Sequence, residues 1–175
     1  MSPDPQAGIS PIDIRHLGMV DYDQALLLQK ELAEKRSLGQ IRDTLLLLEH
    51  PPTYTLGVRG GSRHFLVPVE ELQSKGAVIR RADRGGLVTF HGPGQVVGYP
   101  VMDVPARCGN ITKYVHCLEQ LIIDTLAAFD ISAGRLDGYR GVWTKDRKIA
   151  AVGIRVNASG ISSHGFALNA NTNLW

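Results

Sequence analysis

The sequence has little of what marks the specialised protein classes. It holds two cysteines, Cys108 and Cys117, in 175 residues, too few for a disulfide framework and without the spacing of a zinc site, so reduced thiols are predicted. Its longest apolar runs, such as Leu45 to Leu48 and Leu121 to Ile123, fall far short of the roughly 20 residues that cross a bilayer, which predicts no membrane association. A formal net charge of +2 is too small to imply nucleic-acid binding. The segment from Met1 to Ile14 contains Pro3, Asp4, Pro5 and Pro11 but no basic and apolar signal region and no Arg-rich transit character; a cytoplasmic protein is predicted, with residues 1–11 as a flexible leader. No internal repeat, low-complexity tract or linker divides the chain.

What is present fits one soluble globular domain over residues 1–175, with 43% hydrophobic and 21% charged residues. Ile12 to Leu17 alternates apolar with polar residues and predicts a half-buried strand. Asp21 or Asp23 can cap a helix to Arg36, whose Ala25, Leu28, Leu32 and Ala33 share a face, with Gly39 beyond it. Thr44 to Glu49, closed by Pro51-Pro52, reads as a strand buried on both faces, and Tyr54-Thr55-Leu56 begins another. A short helix at residues 69–75 ends at Gly76, and residues 77–81 return to strand. The clearest helix spans 111–129, where Ile111, Val115, Leu118, Ile122, Leu126 and Phe129 recur at helical spacing and Lys113, Glu119 and Asp124 form the exposed face. Residues 141–144 and 148–156 predict strands around a turn at Asp146-Arg147, and Asn157 to Gly160 turns into a last strand, 161–168. Alternating helix and sheet followed by a sheet-rich second half predicts an α/β (α+β) fold, a mixed central sheet flanked by helices.

Three segments carry chemistry. Arg84 to Gln95 packs four glycines, a proline, a histidine and an arginine into twelve positions. Glycines let backbone N–H groups approach a ligand oxygen, although the same residues suit a tight hairpin. In Lys145 to Arg155 basic residues lead into a strand of small residues; Lys145 and Arg147 read as solvated turn residues, while Lys148, at the start of that strand, is placed for partial burial. Ser162 to Asn169 carries a second His-Gly pair, and two such pairs suggest one site. His50, His64, His91, His116 and His164 lack the spacing of metal ligands, so no metal site is predicted.

Together these segments resemble the octanoyltransferases, or lipoyl(octanoyl) transferases, of the lipoate-protein ligase B family. The pattern RGGxxTxHGPGQ stands at Arg84 to Gln95, followed by Tyr99-Pro100. Gly141-Val142-Trp143, Lys148-Ile149 and Gly153 follow, and His164 to Asn169 supplies His-Gly-x-Ala-Leu-Asn. The resemblance extends over nearly the whole chain and implies the fold of biotin and lipoate protein ligase catalytic domains. It implies that Arg84, Gly85, Gly86, Leu87, Val88, Thr89, Phe90 and His91 line an acyl pocket with Ala151, Val152, Gly153, Gly165, Phe166 and Ala167, and that Lys148 is the catalytic lysine.

The reaction so implied moves an octanoyl group from octanoyl-acyl carrier protein to a lysine of a lipoyl domain, through a cysteine acyl-thioester and with no cofactor. The implied acceptors are the lipoyl domains of 2-oxoacid dehydrogenases and the glycine cleavage H protein. In the family the cysteine lies in a Pro-Cys-Gly motif shortly after Ala-Leu-Asn. This chain ends at Trp175 before such a motif, so the expectation is a C-terminally incomplete domain with little or no transferase activity as it stands. Cys108 lies too far upstream to take the role, and Cys117, beside the apolar stripe of its helix, reads as a small core residue. An ATP-dependent lipoate or biotin-type ligase and a non-enzymatic acyl-binding module are the alternatives. Arg80, Arg81, Arg84, Lys145 and Arg147 are predicted to form a basic rim for acidic partners.

Overall fold

The computed structural model describes residues 11–145 and 147–173. Residues 1–10, which make up most of the predicted leader, and Asp146, in the predicted turn, lie outside the described residues, as do Leu174 and Trp175. The chain runs β1 (Asp13–Met19), α1 (Tyr22–Ser37), β2 (Thr44–Glu49), β3 (Thr53–Leu56), α2 (Val69–Ser74), β4 (Val78–Arg81), β5 (Val88–His91), β6 (Gln95–Val101), α3 (Val104–Cys108), α4 (Ile111–Ala127), β7 (Gly134–Leu136), β8 (Tyr139–Thr144), β9 (Arg147–Val156) and β10 (Ser162–Asn169).

A seven-stranded sheet has the order β1-β2-β6-β10-β9-β8-β7. Only β1 and β2 pair in parallel within it; the other neighbours are antiparallel. The mixed sheet is therefore as expected, and its position follows from the leucine run of β2. Leu46 and Leu48 point to a cluster with Ala25 and Leu32 of α1, while Leu45 and Leu47 pack on the opposite face. There Ile122 and Leu126 of α4 cover Val142, Ala150 and Phe166. A strand with helices on both faces must be apolar at every position, and each leucine so buried contributes about 1.5–3 kcal/mol.

A second, three-stranded sheet has the order β4-β3-β5. Arg80 of β4 pairs with Asp23 of α1 at 2.8 Å, and His91 of β5 stacks on Tyr22 with ring centroids 6.2 Å apart. The glycine-rich run is not a hairpin. Its β5 pairs with β3 in the small sheet, whereas β6 pairs with β2 and β10 in the large one, so Gly92-Pro93-Gly94 carries the chain between sheets. Gly94 has φ +80°, and a Cβ there would run into the Asn171 carbonyl. Its N–H donates to Glu49 Oε2 at 2.7 Å and its carbonyl accepts from Asn171 N at 2.8 Å. Positive φ and close approach both call for glycine.

Some local expectations fail for tertiary reasons. Asp21 occupies the first cap but its side chain makes no capping bond; Asn110 and Asp103 cap α4 and α3 through Lys113 N and Ala106 N. Glu119, expected on the exposed face of α4, is buried because it accepts from Gly141 N at 2.9 Å and pairs with Arg135 at 3.1 Å. Cys117 is exposed rather than in the core. Helix α4 ends at Ala127, which leaves Phe129 in solvent.

Candidate active site

The loop from Arg84 to Leu87 lies against β9. Gly85 N donates to the Ile154 carbonyl at 3.1 Å, and a Cβ on Gly153 would meet the Gly85 carbonyl at 2.9 Å. The small residues Ala151 and Gly153 thus let loop and strand form two walls of one space.

That space comprises a cleft of about 900 Å³ and, sharing lining residues with it, a small chamber of about 20 Å³. Arg84, Gly85, Gly86, Leu87, Val88, Thr89 and Phe90 line the cleft on the loop side, and Lys148, Ala151, Val152, Gly153 and Ala167 face them. His91, Gly165 and Phe166 line the chamber, with Arg84, Thr89, Ala151, Gly153 and Ala167 common to both. The structure brings every residue implied by the resemblance to the cleft or the chamber, and His91 and His164 both line the chamber. Sequence reasoning missed Tyr22 in the chamber and Arg59, Tyr139 and Arg140 at the cleft. Tyr22 sits in the first turn of α1, where helical periodicity singles out no residue.

Arg84 is 7% exposed. Its guanidinium donates to the Gly85 carbonyl at 2.9 Å, the Thr55 carbonyl at 2.8 Å and Thr55 Oγ1 at 2.7 Å. Burial lowers its pKa. It fixes the glycine loop to β3 and cannot belong to a basic rim. Arg80, neutralised by Asp23, contributes little to one either; Arg81, Lys145 and Arg147 are exposed, as are Arg59 and Arg140.

Buried His91 donates from Nδ1 to Gln95 Oε1, 2.9 Å away, and its Nε2 meets Thr55 Oγ1 at 3.2 Å. Desolvation, then repulsion from His50, pushes its pKa down to about 3. His164 holds φ +57° and its Nε2 meets Asp83 Oδ1 at 2.7 Å, and burial lowers its pKa to about 4. Both rings are neutral near pH 7. Lys148 keeps an exposed side chain whose Nζ stands 5.0 Å from the centroid of the Trp143 ring; partial desolvation lowers its pKa. A cation so placed interacts with the ring face and is carried at the cleft. The cysteines are elsewhere: their sulfurs are 3.6 Å apart between α3 and α4, and neither lines the cleft or chamber. Desolvation and Cys117 push the Cys108 thiol up to about 11, the opposite of an activated nucleophile. Among the described residues no cluster of three His, Cys, Asp or Glu is disposed to hold a metal, and no helix is long and apolar enough to cross a membrane.

The sequence of residues 21–175 matches the lipoyl protein ligase A/B catalytic domain. An octanoyltransferase of Chloroflexus aggregans is 44% identical over 165 residues, spanning 93% of this chain and 75% of the relative. That of Solibacter usitatus is 46% identical over 161 residues, 92% of this chain and 73% of the relative. In fold the chain is similar to the bipartite lipoate protein ligase of Thermoplasma acidophilum, with a TM-score of 0.71 at 17% identity over 93% of this chain and 62% of the other. It is equally similar to a lipoate-protein ligase A bound with ATP, TM-score 0.71 at 16% identity over 93% and 67%. With the mixed sheet, the glycine-lined cleft and the HGPGQ loop in place, the chain belongs to the octanoyltransferase family, built on the lipoyl protein ligase A/B catalytic domain.

Proposed function

We propose that the cleft and chamber hold the octanoyl chain of octanoyl-acyl carrier protein with its thioester beside Lys148, and that the group passes to a lysine of a lipoyl domain. The acceptors we infer are the lipoyl domains of 2-oxoacid dehydrogenases and the glycine cleavage H protein. The observation that supports this is the placement of Lys148 on the same cleft as Arg84 to Phe90. The walls suit an acyl chain because Ala151, Gly153 and Ala167 present small surfaces, and each buried methylene contributes about 0.8 kcal/mol.

In this reading a thiolate attacks the thioester carbonyl, the S–C(O) bond to the enzyme forms and the carrier thiolate leaves. The acceptor amine then attacks the acyl-enzyme, forming the amide as the enzyme C–S bond breaks and the amine proton departs. Lys148 as ammonium favours the thiolate, and its desolvation eases return to an amine that accepts the departing proton. Gly85 N–H is committed to Ile154, so the oxyanion donors fall to the neighbouring Gly86 and Leu87. The thiolate that the family resemblance implies is neither Cys108 nor Cys117, since neither lines the cleft or the chamber. Exposed Arg59 and Arg140 at the cleft suit acidic carrier and lipoyl domains.

Mass spectrometry tests this after incubation with octanoyl-acyl carrier protein, using the chain alone and continued through a Pro-Cys-Gly segment. An octanoyl adduct on the continued chain, passed on to a lipoyl domain and slowed at least about 100-fold by Lys148→Met, is the expected result. No adduct on either chain refutes the reading, and adenylate formation from ATP and free octanoate assigns a ligase instead.

A further inference from the structure

Glu119 of α4 is 4% exposed, and a carboxylate so buried has to be paired and hydrogen-bonded. Its Oε2 accepts from Arg135 Nε at 3.1 Å. Arg135 is tied back to the same helix, since its Nη2 donates to the His116 carbonyl at 2.8 Å. That ion pair balances the charge. The other oxygen, Oε1, reaches the sheet instead, where it accepts from Gly141 N of β8 at 2.9 Å.

Gly141 stands where the pairing of β8 is interrupted on both sides. The register shifts between Gly134 and Leu136 against β7 and between Val142 and Trp143 against β9. Gly141 itself has φ +106°, a conformation that side chains disfavour. Irregularities of this kind bend a strand and re-aim the side chains around them, and here the side chain concerned is Lys148. Trp143 is its cross-strand partner. Its Nζ stands 5.0 Å from the centroid of the Trp143 ring, and a Cβ on Gly141 would lie 3.5 Å from its Cε. The lysine therefore rests along the Gly141 backbone and over the indole, which is the path that carries its ammonium to the cleft.

We propose that Glu119 is the positioning residue for Lys148: by holding the Gly141 N–H it sets the irregular turn of β8, and that turn lays the lysine over Trp143. The meaning of this for the reaction rests on the reading that Lys148 serves a thioester at the cleft. What the arrangement asks of position 119 is an acceptor oxygen at a fixed reach from α4; the negative charge serves Arg135.

The test separates reach from charge. Lysines are reductively methylated with ¹³C, which keeps the ammonium charge, and the Lys148 methyl signal is identified by its loss in Lys148→Arg. In the parent that signal is expected upfield of the other lysine signals, shifted by the Trp143 ring. Glu119→Gln keeps an oxygen at the same reach without the charge, and the shift should persist. Glu119→Asp keeps the charge but draws the oxygen back by one methylene, and the shift should be lost. The opposite order assigns Glu119 to charge balance alone and overturns the inference. A parent signal with no ring shift overturns it too, as does a shift kept in both variants or lost in both. Should a variant unfold, hydrogen exchange in the parent decides: a Gly141 N–H protected like the ladder amides supports the inference, and rapid exchange refutes it. None of these results depends on acyl transfer, so failure of the positioning leaves the transferase reading intact, and absence of an octanoyl adduct refutes that reading while the positioning stands.

Discussion

Acid sensitivity offers the sharpest test of the buried site. His91 is enclosed by Tyr22, His50, Thr55, Arg84 and Gln95, and its pKa falls from 6.5 to about 3. The unfolded chain, with an ordinary histidine, binds the proton first as pH drops. His91 therefore costs no stability above about pH 6.5, and folding loses stability as the pH falls below that value toward about 3. At about pH 5 the linkage amounts to about 2 kcal/mol for this one residue, with a slope near 1.4 kcal/mol per pH unit. Urea unfolding followed through tryptophan fluorescence at about pH 7, 6 and 5 measures it in the parent and in His91→Gln, which cannot titrate but keeps hydrogen-bonding capacity. The difference between the two proteins should shrink by about 2 kcal/mol between pH 7 and pH 5. Parallel losses in both would show that His91 is hydrated or charged in the folded protein, and the account of a neutral, dry ring would be wrong.

Arg84→Met removes three short hydrogen bonds and leaves the carbonyls of Thr55 and Gly85 short of a donor. Stranded buried acceptors cost about 1–3 kcal/mol each, and relief of a buried cation offsets part of this, so urea unfolding should show a loss of about 3 kcal/mol; a loss under about 0.5 kcal/mol would refute the clamp. Gly98→Ala drives a methyl group into the Phe166 ring, overpacking a wall of the chamber. A cost of about 1–3 kcal/mol, or a fall of about 2–4 °C in Tm per kcal/mol, is expected, with recovery in Gly98→Ala/Phe166→Leu; an unchanged Tm in the single variant would contradict the packing.

The elements that the sequence determined are those whose pattern is local. The leucine run of β2 and the periodic stripe of α4 each dictate an apolar surface whatever surrounds them, because period and burial are properties of a short segment. The RGG, HGPGQ and HGFALN motifs likewise pointed, through a family resemblance, to residues that line the cleft and chamber, with no knowledge of how they meet. Tertiary structure alone decided the rest. Glu119 is buried because β8 brings the Gly141 N–H to it, and Arg84 leaves the surface because Thr55, 29 positions earlier, supplies its acceptors. The glycine run crosses between sheets because its two strands find different neighbours. Tyr22 enters the site only because the fold sets the start of α1 against His50 and His91. Pairings between distant segments are set by which surfaces are left to cover once each local element has formed, and no window of sequence contains both partners.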